Sequence, residues 1–198
     1  MFTASHNPAA YNGVKLCKSG AVPIGQDSGL HRIKQLILEG LPIANRPVGK
    51  ESNRDLLAEY VDFLIGLFPE IEGENSKQRK LKVVIDAGNG MAGHTAPAVM
   101  SRLNVEIIPM YFELDGNFPN HEANPIDPKN LVDLQKRVLK EKADLGLAFD
   151  GDADRCFLID EKGSLVNPSA LTALIAVREL KRKPGSTIIY NLISSRAV

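Results

Sequence analysis

No stretch of the 198 residues is apolar for long enough to cross a bilayer, and the opening Met1-Phe2-Thr3-Ala4-Ser5 lacks the basic and apolar regions of a secretion signal. The expectation is a cytoplasmic protein with no membrane partner. Net charge is missing as well, since 24 Lys and Arg stand against 24 Asp and Glu, which leaves no electrostatic footprint for nucleic acid or an anionic surface. A small molecule or a protein is the expected partner. Cysteine is scarce: Cys17 and Cys156 have no CxxC spacing, which argues against a zinc or redox motif. Both lie in strand-like apolar segments and read as buried free thiols in a reducing compartment. Internal repeats and low-complexity tracts are absent too.

What is present changes texture along the chain. The first eight residues have turn composition, and Tyr11-Asn12-Gly13 extends that loop to a short strand-like stretch at 14–18. Leu30, Ile33, Leu36 and Ile37 have helical spacing, predicting a helix over 28–39 with Asp27 or Ser28 as cap and Gly40 as stop. Pro42, Asn45, Pro47 and Gly49 mark a connector. A capping pattern at Ser52 to Asp55 then predicts a second helix ending at Pro69. The polar run 70–80 is the candidate domain boundary.

Beyond it, strands and helices alternate: a strand at 82–86, a helix at 94–103, a strand at 105–110, a helix at 130–142 and a strand at 145–149. This order predicts a three-layer α/β/α domain on a mixed, largely parallel sheet, preceded by a partial α/β domain. A hairpin of 156–160 with 164–166 would add an antiparallel edge. A helix from Pro168 and a strand at 187–192 complete the prediction.

Asp150-Gly151-Asp152-Ala153-Asp154-Arg155 sits at the carboxyl end of the third of these strands, where open α/β sheets place ligands. Carboxylates spaced by single small residues in a turn converge, and their repulsion calls for a cation; a hard divalent metal such as Mg²⁺, which shares its coordination with phosphate, is the simplest answer. An EF-hand is a second reading, but Arg155 occupies the position of the loop glycine and the flanks are strands. An aspartyl phosphatase of the haloacid-dehalogenase type is a third, with Asp150 as nucleophile, although Asp154 replaces the usual Thr or Val. A solvated acidic turn is the plain alternative. The turn Gly88-Asn89-Gly90-Met91-Ala92-Gly93 matches GxGxxG between a strand and a helix, yet the next strand ends without the acid a dinucleotide ribose requires. A tight strand-to-helix turn is the preferred reading.

Thr3-Ala4-Ser5-His6-Asn7-Pro8, followed by Tyr11-Asn12-Gly13-Val14-Lys15, resembles the phosphoserine loop of the α-D-phosphohexomutases, the phosphomannomutase and phosphoglucomutase family. Asp150 to Arg155 resembles that family's magnesium loop, and Phe118-Pro119-Asn120-His121 its second domain. The resemblance implies a Mg²⁺-dependent enzyme interconverting hexose 6-phosphate and hexose 1-phosphate through phosphoserine and a hexose 1,6-bisphosphate. Ser5 would carry the phosphate, and Asp150, Asp152 and Asp154 would hold the metal together with it. Arg155 would assist at the same phosphate, Lys15 would serve as general acid/base, and His6 would support the loop or move a proton. Thr3 leans towards mannose or glucose phosphates.

The same resemblance divides the chain into the end of a first domain at 1–76, a complete second at 77–184 and the opening strand of a third at 185–198. Met1 is accordingly expected to be an artificial or misassigned start, and residues 1–198 alone a metal-binding, non-catalytic part of a longer enzyme, because catalysis by positioning needs the groups that hold the sugar.

Overall fold

The computed structural model describes residues 1–41, 49–68 and 79–196. The expected connector of Pro42 to Pro47, the stop at Pro69 and most of the 70–80 boundary lie outside them. Four strands form one sheet in the order β2-β1-β3-β4, with β1 at Leu81–Asp86, β2 at Val105–Met110, β3 at Leu145–Phe149 and β4 at Cys156–Asp160. β1 pairs in parallel with β2 and β3, and β4 joins β3 antiparallel. The sheet is therefore mixed and mostly parallel, as its alternating elements predict.

Burial explains the sequence texture. β1 is internal, and Val83, Val84 and Ile85 are all buried, so the strand reads as a continuous apolar run. On one face Val84, Ala148 and Ile159 pack with Leu134 and Val138 of α4, Val132–Glu141, which follows a 3₁₀ turn at Pro128–Leu131. On the other face Val83 and Ile85 meet Ala96 of α3, Ala92–Met100. Helix, sheet and helix make the three layers. α2, Leu57–Gly66, packs along α3 with Val61 and Ile65 buried and an Asp62–Arg102 ion pair of 2.9 Å.

Elsewhere local pattern and structure part. α1 spans His31–Glu39 and ends at Gly40 with φ 81°, as expected, but neither Asp27 nor Ser28 caps it. Ser28 Oγ instead accepts the Gly25 N–H at 2.7 Å, closing a separate turn at Gln26–Leu30. The segment 14–18 forms only single bridges, Phe2 with Val14 and Cys17 with Pro23. Its cysteine is exposed and is not the buried thiol predicted; Cys156, at the start of edge strand β4, is exposed as a residue, but burial around its thiol pushes the pKa up to about 12, and both cysteines are free. Residue 164–166 likewise contributes one bridge, Ile159 with Leu165, rather than a strand. The expected strand at 187–192 is absent, and Ile189 and Leu192 are 92% and 100% exposed. An extended apolar segment becomes a strand only against a partner edge, and this one pairs with none among the described residues. α5, Pro168–Arg182, begins at Asn167, whose side chain caps Ser169 N–H, and buries no residue of its own. No helix among the described residues is long and apolar enough to cross a membrane.

Candidate phosphate and metal site

The turn from β3 to β4 carries the acidic loop. Phe149 pairs with Cys156 at its base, and across it Asp150 N–H donates to the Arg155 carbonyl while Arg155 N–H donates to Asp150 Oδ1 at 3.1 Å. Ala153 takes the left-handed conformation, φ 58°, which curls the loop so that one oxygen from each of Asp150, Asp152 and Asp154 falls within 4.8 Å of the others.

Beneath it lies the glycine turn that follows β1. Gly88 and Asn89 are both left-handed, at φ 52° and 59°. Met91 N–H donates to the Gly151 carbonyl at 3.0 Å, and a side chain on Gly90 would run into the Gly151 backbone at 2.7 Å. The GxGxxG turn is thus a seat for the acidic loop, with Gly151 packed closely against Gly90. Asp86 anchors the seat: its Oδ1 accepts Gly88 N–H at 2.8 Å, and its Oδ2 meets His121 Nε2 at 2.9 Å. Burial lowers the His121 pKa, but the hydrogen bond and charge of Asp86 outweigh it and the net direction is up.

The N-terminal loop docks on the other side. Thr3 N–H donates to the Gly13 carbonyl at 3.0 Å and Lys15 N–H to that of Met1 at 2.8 Å, so the segments around Thr3 and Lys15 run side by side. Ser5 is left-handed, φ 54°, a strained setting of the kind found at functional sites. Its carbonyl packs against Gly151, where a Cβ would collide with it. Ser5 Oγ–H donates to Asp150 Oδ2 at 3.1 Å, Arg155 Nη2 donates to Ser5 Oγ at 2.7 Å, and His6 Nδ1 lies 3.3 Å away. Lys15 Nζ bridges Asp152 Oδ2 at 2.8 Å and Asp154 Oδ2 at 3.0 Å. All seven residues singled out in the sequence therefore meet at one place.

Electrostatics distinguish the three carboxylates. Asp150 is fully buried, and desolvation pushes its pKa up against the Arg155 backbone hydrogen bond and charge. Burial pushes Asp152 up as well, but hydrogen bonds from Lys15 and Thr3 prevail and its pKa falls. The Lys15 hydrogen bond lowers Asp154, and in return Asp152 and Asp154 raise Lys15, which is held as an ammonium. A divalent cation fits this donor set: the ligands are all hard oxygens, and Asp152 Oδ1 is buried with no hydrogen-bond partner among the described residues.

Reading residues in isolation misses the parts played by Thr3 and by the glycine turn. Thr3 Oγ1 joins Ser5 N–H, at 2.8 Å, to Asp152 Oδ2, at 3.0 Å. The first contact is a local Ser/Thr turn that sequence can signal; the second spans 149 positions. Gly90 and Met91 are the other omission, since their part depends on the approach of Gly151.

The family model described as phosphoglucomutase/phosphomannomutase, alpha/beta/alpha domain II, matches residues 58–163, and its domain I counterpart matches 1–41. A phosphomannomutase/phosphoglucomutase of Pseudomonas putida is 40% identical over 196 residues, 99% of this chain and 40% of the relative. The phosphomannomutase of Vibrio cholerae is 40% identical over 194 residues, 96% of this chain and 41% of its own. The crystal structure of a phosphoglucomutase/phosphomannomutase family protein from Burkholderia thailandensis aligns with TM-score 0.80 and 34% identity, covering 98% of this chain and 40% of that one. The chain thus spans about two fifths of the length of the relatives it matches. One family model takes in more than half of its residues, acidic loop included, and the other takes in the loop of Ser5: the chain belongs to the phosphoglucomutase/phosphomannomutase family.

Proposed function

We propose that the chain supplies the phosphate-carrying and metal-holding half of a phosphohexomutase that interconverts hexose 6-phosphate and hexose 1-phosphate. The observation that carries this reading is Ser5 Oγ held between Asp150 Oδ2 and Arg155 Nη2, with a cluster of carboxylates beside it. In this reading Ser5 bears a phosphoryl group. The Ser5 Oγ–P bond breaks as a hydroxyl of a hexose monophosphate takes the phosphorus; that hydroxyl's proton passes to a base, a general acid protonates the departing Ser5 Oγ, and a hexose 1,6-bisphosphate is left. The bisphosphate turns round, and its other phosphate returns to Ser5, which gives up a proton in exchange.

Arg155, already on Ser5 Oγ, positions the phosphoryl group and offsets its charge. Lys15, held protonated by Asp152 and Asp154, is the proton donor and, once deprotonated, the acceptor. His6 supports the loop through its contact with Ser5 Oγ. Asp150, Asp152 and Asp154, with the phosphate on Ser5, would hold Mg²⁺, which when bound neutralises charge on the transferring group. Asp150 is a poor phosphoryl acceptor by comparison, being fully buried under Ser5 and Arg155, so the phosphatase alternative is set aside.

The domain division belongs to the same proposal, with Ser5 on a unit within 1–76, the acidic loop on a unit of 77–184 and the opening of a third at 185–198; α2 packs on α3 and lies almost wholly within the domain II match of 58–163. We further propose a cytoplasmic place of action, and that residues 1–198 alone bind metal and accept phosphate without turnover. Incubation with Mg²⁺ and glucose 1,6-bisphosphate should add one phosphate to the intact mass, located on Ser5 and lost in Ser5→Ala. Phosphate on Asp150 instead sinks the mutase reading. Turnover of mannose 1-phosphate by residues 1–198 contradicts the claim that they are inactive alone.

A further inference from the structure

The Thr3 side chain stands at the junction of the two loops, and its hydroxyl has its hydrogen bonds assigned. A hydroxyl has one proton and two lone pairs. Ser5 N–H donates to Thr3 Oγ1 at 2.8 Å, so the hydroxyl proton is free to point the other way, and it goes to Asp152 Oδ2 at 3.0 Å. Lys15 Nζ occupies the same oxygen at 2.8 Å. Among the described residues Asp152 Oδ2 therefore has two donors and Asp152 Oδ1 has none, although the side chain is only 6% exposed. A buried carboxylate oxygen without a partner is costly, and a cation is the partner its chemistry wants.

From this asymmetry we infer that Thr3 is a positioning residue for the metal: it holds Asp152 by Oδ2 so that Oδ1 is the oxygen presented to a divalent cation, and it fixes Ser5 by the same hydroxyl. The inference rests on the proposed metal site. Lys15 cannot replace Thr3 in this task. Lys15 carries its charge on a flexible stem that is half exposed and shared between two carboxylates. Thr3 is β-branched, short and tied through its own N–H to Gly13, so it sets a direction rather than a charge. Because one hydroxyl serves both loops, the rotamer of Asp152 and the left-handed backbone of Ser5 are coupled, and a change at Thr3 reaches metal and nucleophile together. Groups in this supporting position contribute about 10–100-fold to metal affinity.

The test uses the whole chain of residues 1–198 with Thr3→Val, which keeps the shape and removes the hydroxyl, and Thr3→Ser, which keeps the hydroxyl. Mg²⁺ affinity is measured by titration calorimetry, and Mn²⁺ coordination by electron paramagnetic resonance. The expected result is binding about 10–100-fold weaker in Thr3→Val, with Thr3→Ser close to the unaltered chain. A thermal melt without metal reports the loop's structural share separately, and Thr3→Ala is a second hydroxyl-free variant on which the same loss is expected. Equal affinity of Thr3→Val and the unaltered chain overturns the role of Thr3 and leaves the metal site standing. Equal weakening in the Val and Ser variants also overturns it, since the loss is then one of shape. If the unaltered chain binds neither ion, the metal reading itself fails and this inference falls with it.

Discussion

Asp144 shows how much one surface carboxylate can do for a strand. Arg79 grips it with two donors, Nη2 to Oδ1 at 2.6 Å and Nη1 to Oδ2 at 2.8 Å, and Lys82 N–H adds a third at 2.8 Å. The Arg79 fork and the Lys82 N–H hold its pKa at about 2, below the ordinary 3.8. A depressed folded-state pKa contributes stability that is present above the unfolded value and lost as pH falls through the folded one. The contribution is therefore whole above about pH 4 and gone near about pH 2, and because Arg79 is well exposed it is modest and screened by salt. Asp144→Asn should melt below the unaltered chain at neutral pH, with the gap closing as melts are repeated down that window. A gap that does not change with pH counts against the ion pair.

The same scale shows why some site residues could be read from sequence and others could not. Ser5 and Lys15 stand out only through the resemblance of the loop that carries them, whereas the aspartates announce their chemistry by type and close spacing. Thr3 and Gly90 do not, because what they contribute is a fit to Asp152 and Gly151, far away in the chain.

At the level of elements, the legible pieces are those whose partners reward the pattern locally. α4 buries Leu134 and Val138 four positions apart on one face, and β1 places its apolar residues against both helical layers. The segments at 14–18 and 187–192 have the same local composition but depend on an edge to pair with, which periodicity does not report. The caps differ in the same way: Asn167 caps α5 by accepting the Ser169 N–H, while Ser28 is drawn into the turn before α1. Leu134, fully buried between α4 and the sheet beside Gly146, is the sharpest probe of that layer. Leu134→Ala should cost about 2–5 kcal/mol in urea unfolding without altering the slope with denaturant. A cost under about 1 kcal/mol would mean that α4 collapses into the space and that the layer is less rigid than its burial implies.

For the molecule as a whole, stability is distributed unevenly. The buried apolar residues lie between Val61 and Ile159, and no described residue of 1–41 is buried. The N-terminal loop is held to the acidic loop by polar contacts of Thr3, Ser5 and Lys15, which are worth little individually in water. The site is thus assembled from a rigid half and a weakly tethered one, and ligands that bridge the halves act on the weaker. Native-state hydrogen exchange should find the slowest amides in β1 and β3, with Thr3, Lys15 and Lys18 opening at much lower free energy. Saturating Mg²⁺ should then slow exchange at the Ser5 amide, which donates to Thr3, by the linkage that any ligand of the folded site imposes, while β1 changes less because its opening is already the global one. Uniform protection across 1–41 and β1 before Mg²⁺ is added would show instead that the loop and the sheet unfold as one unit.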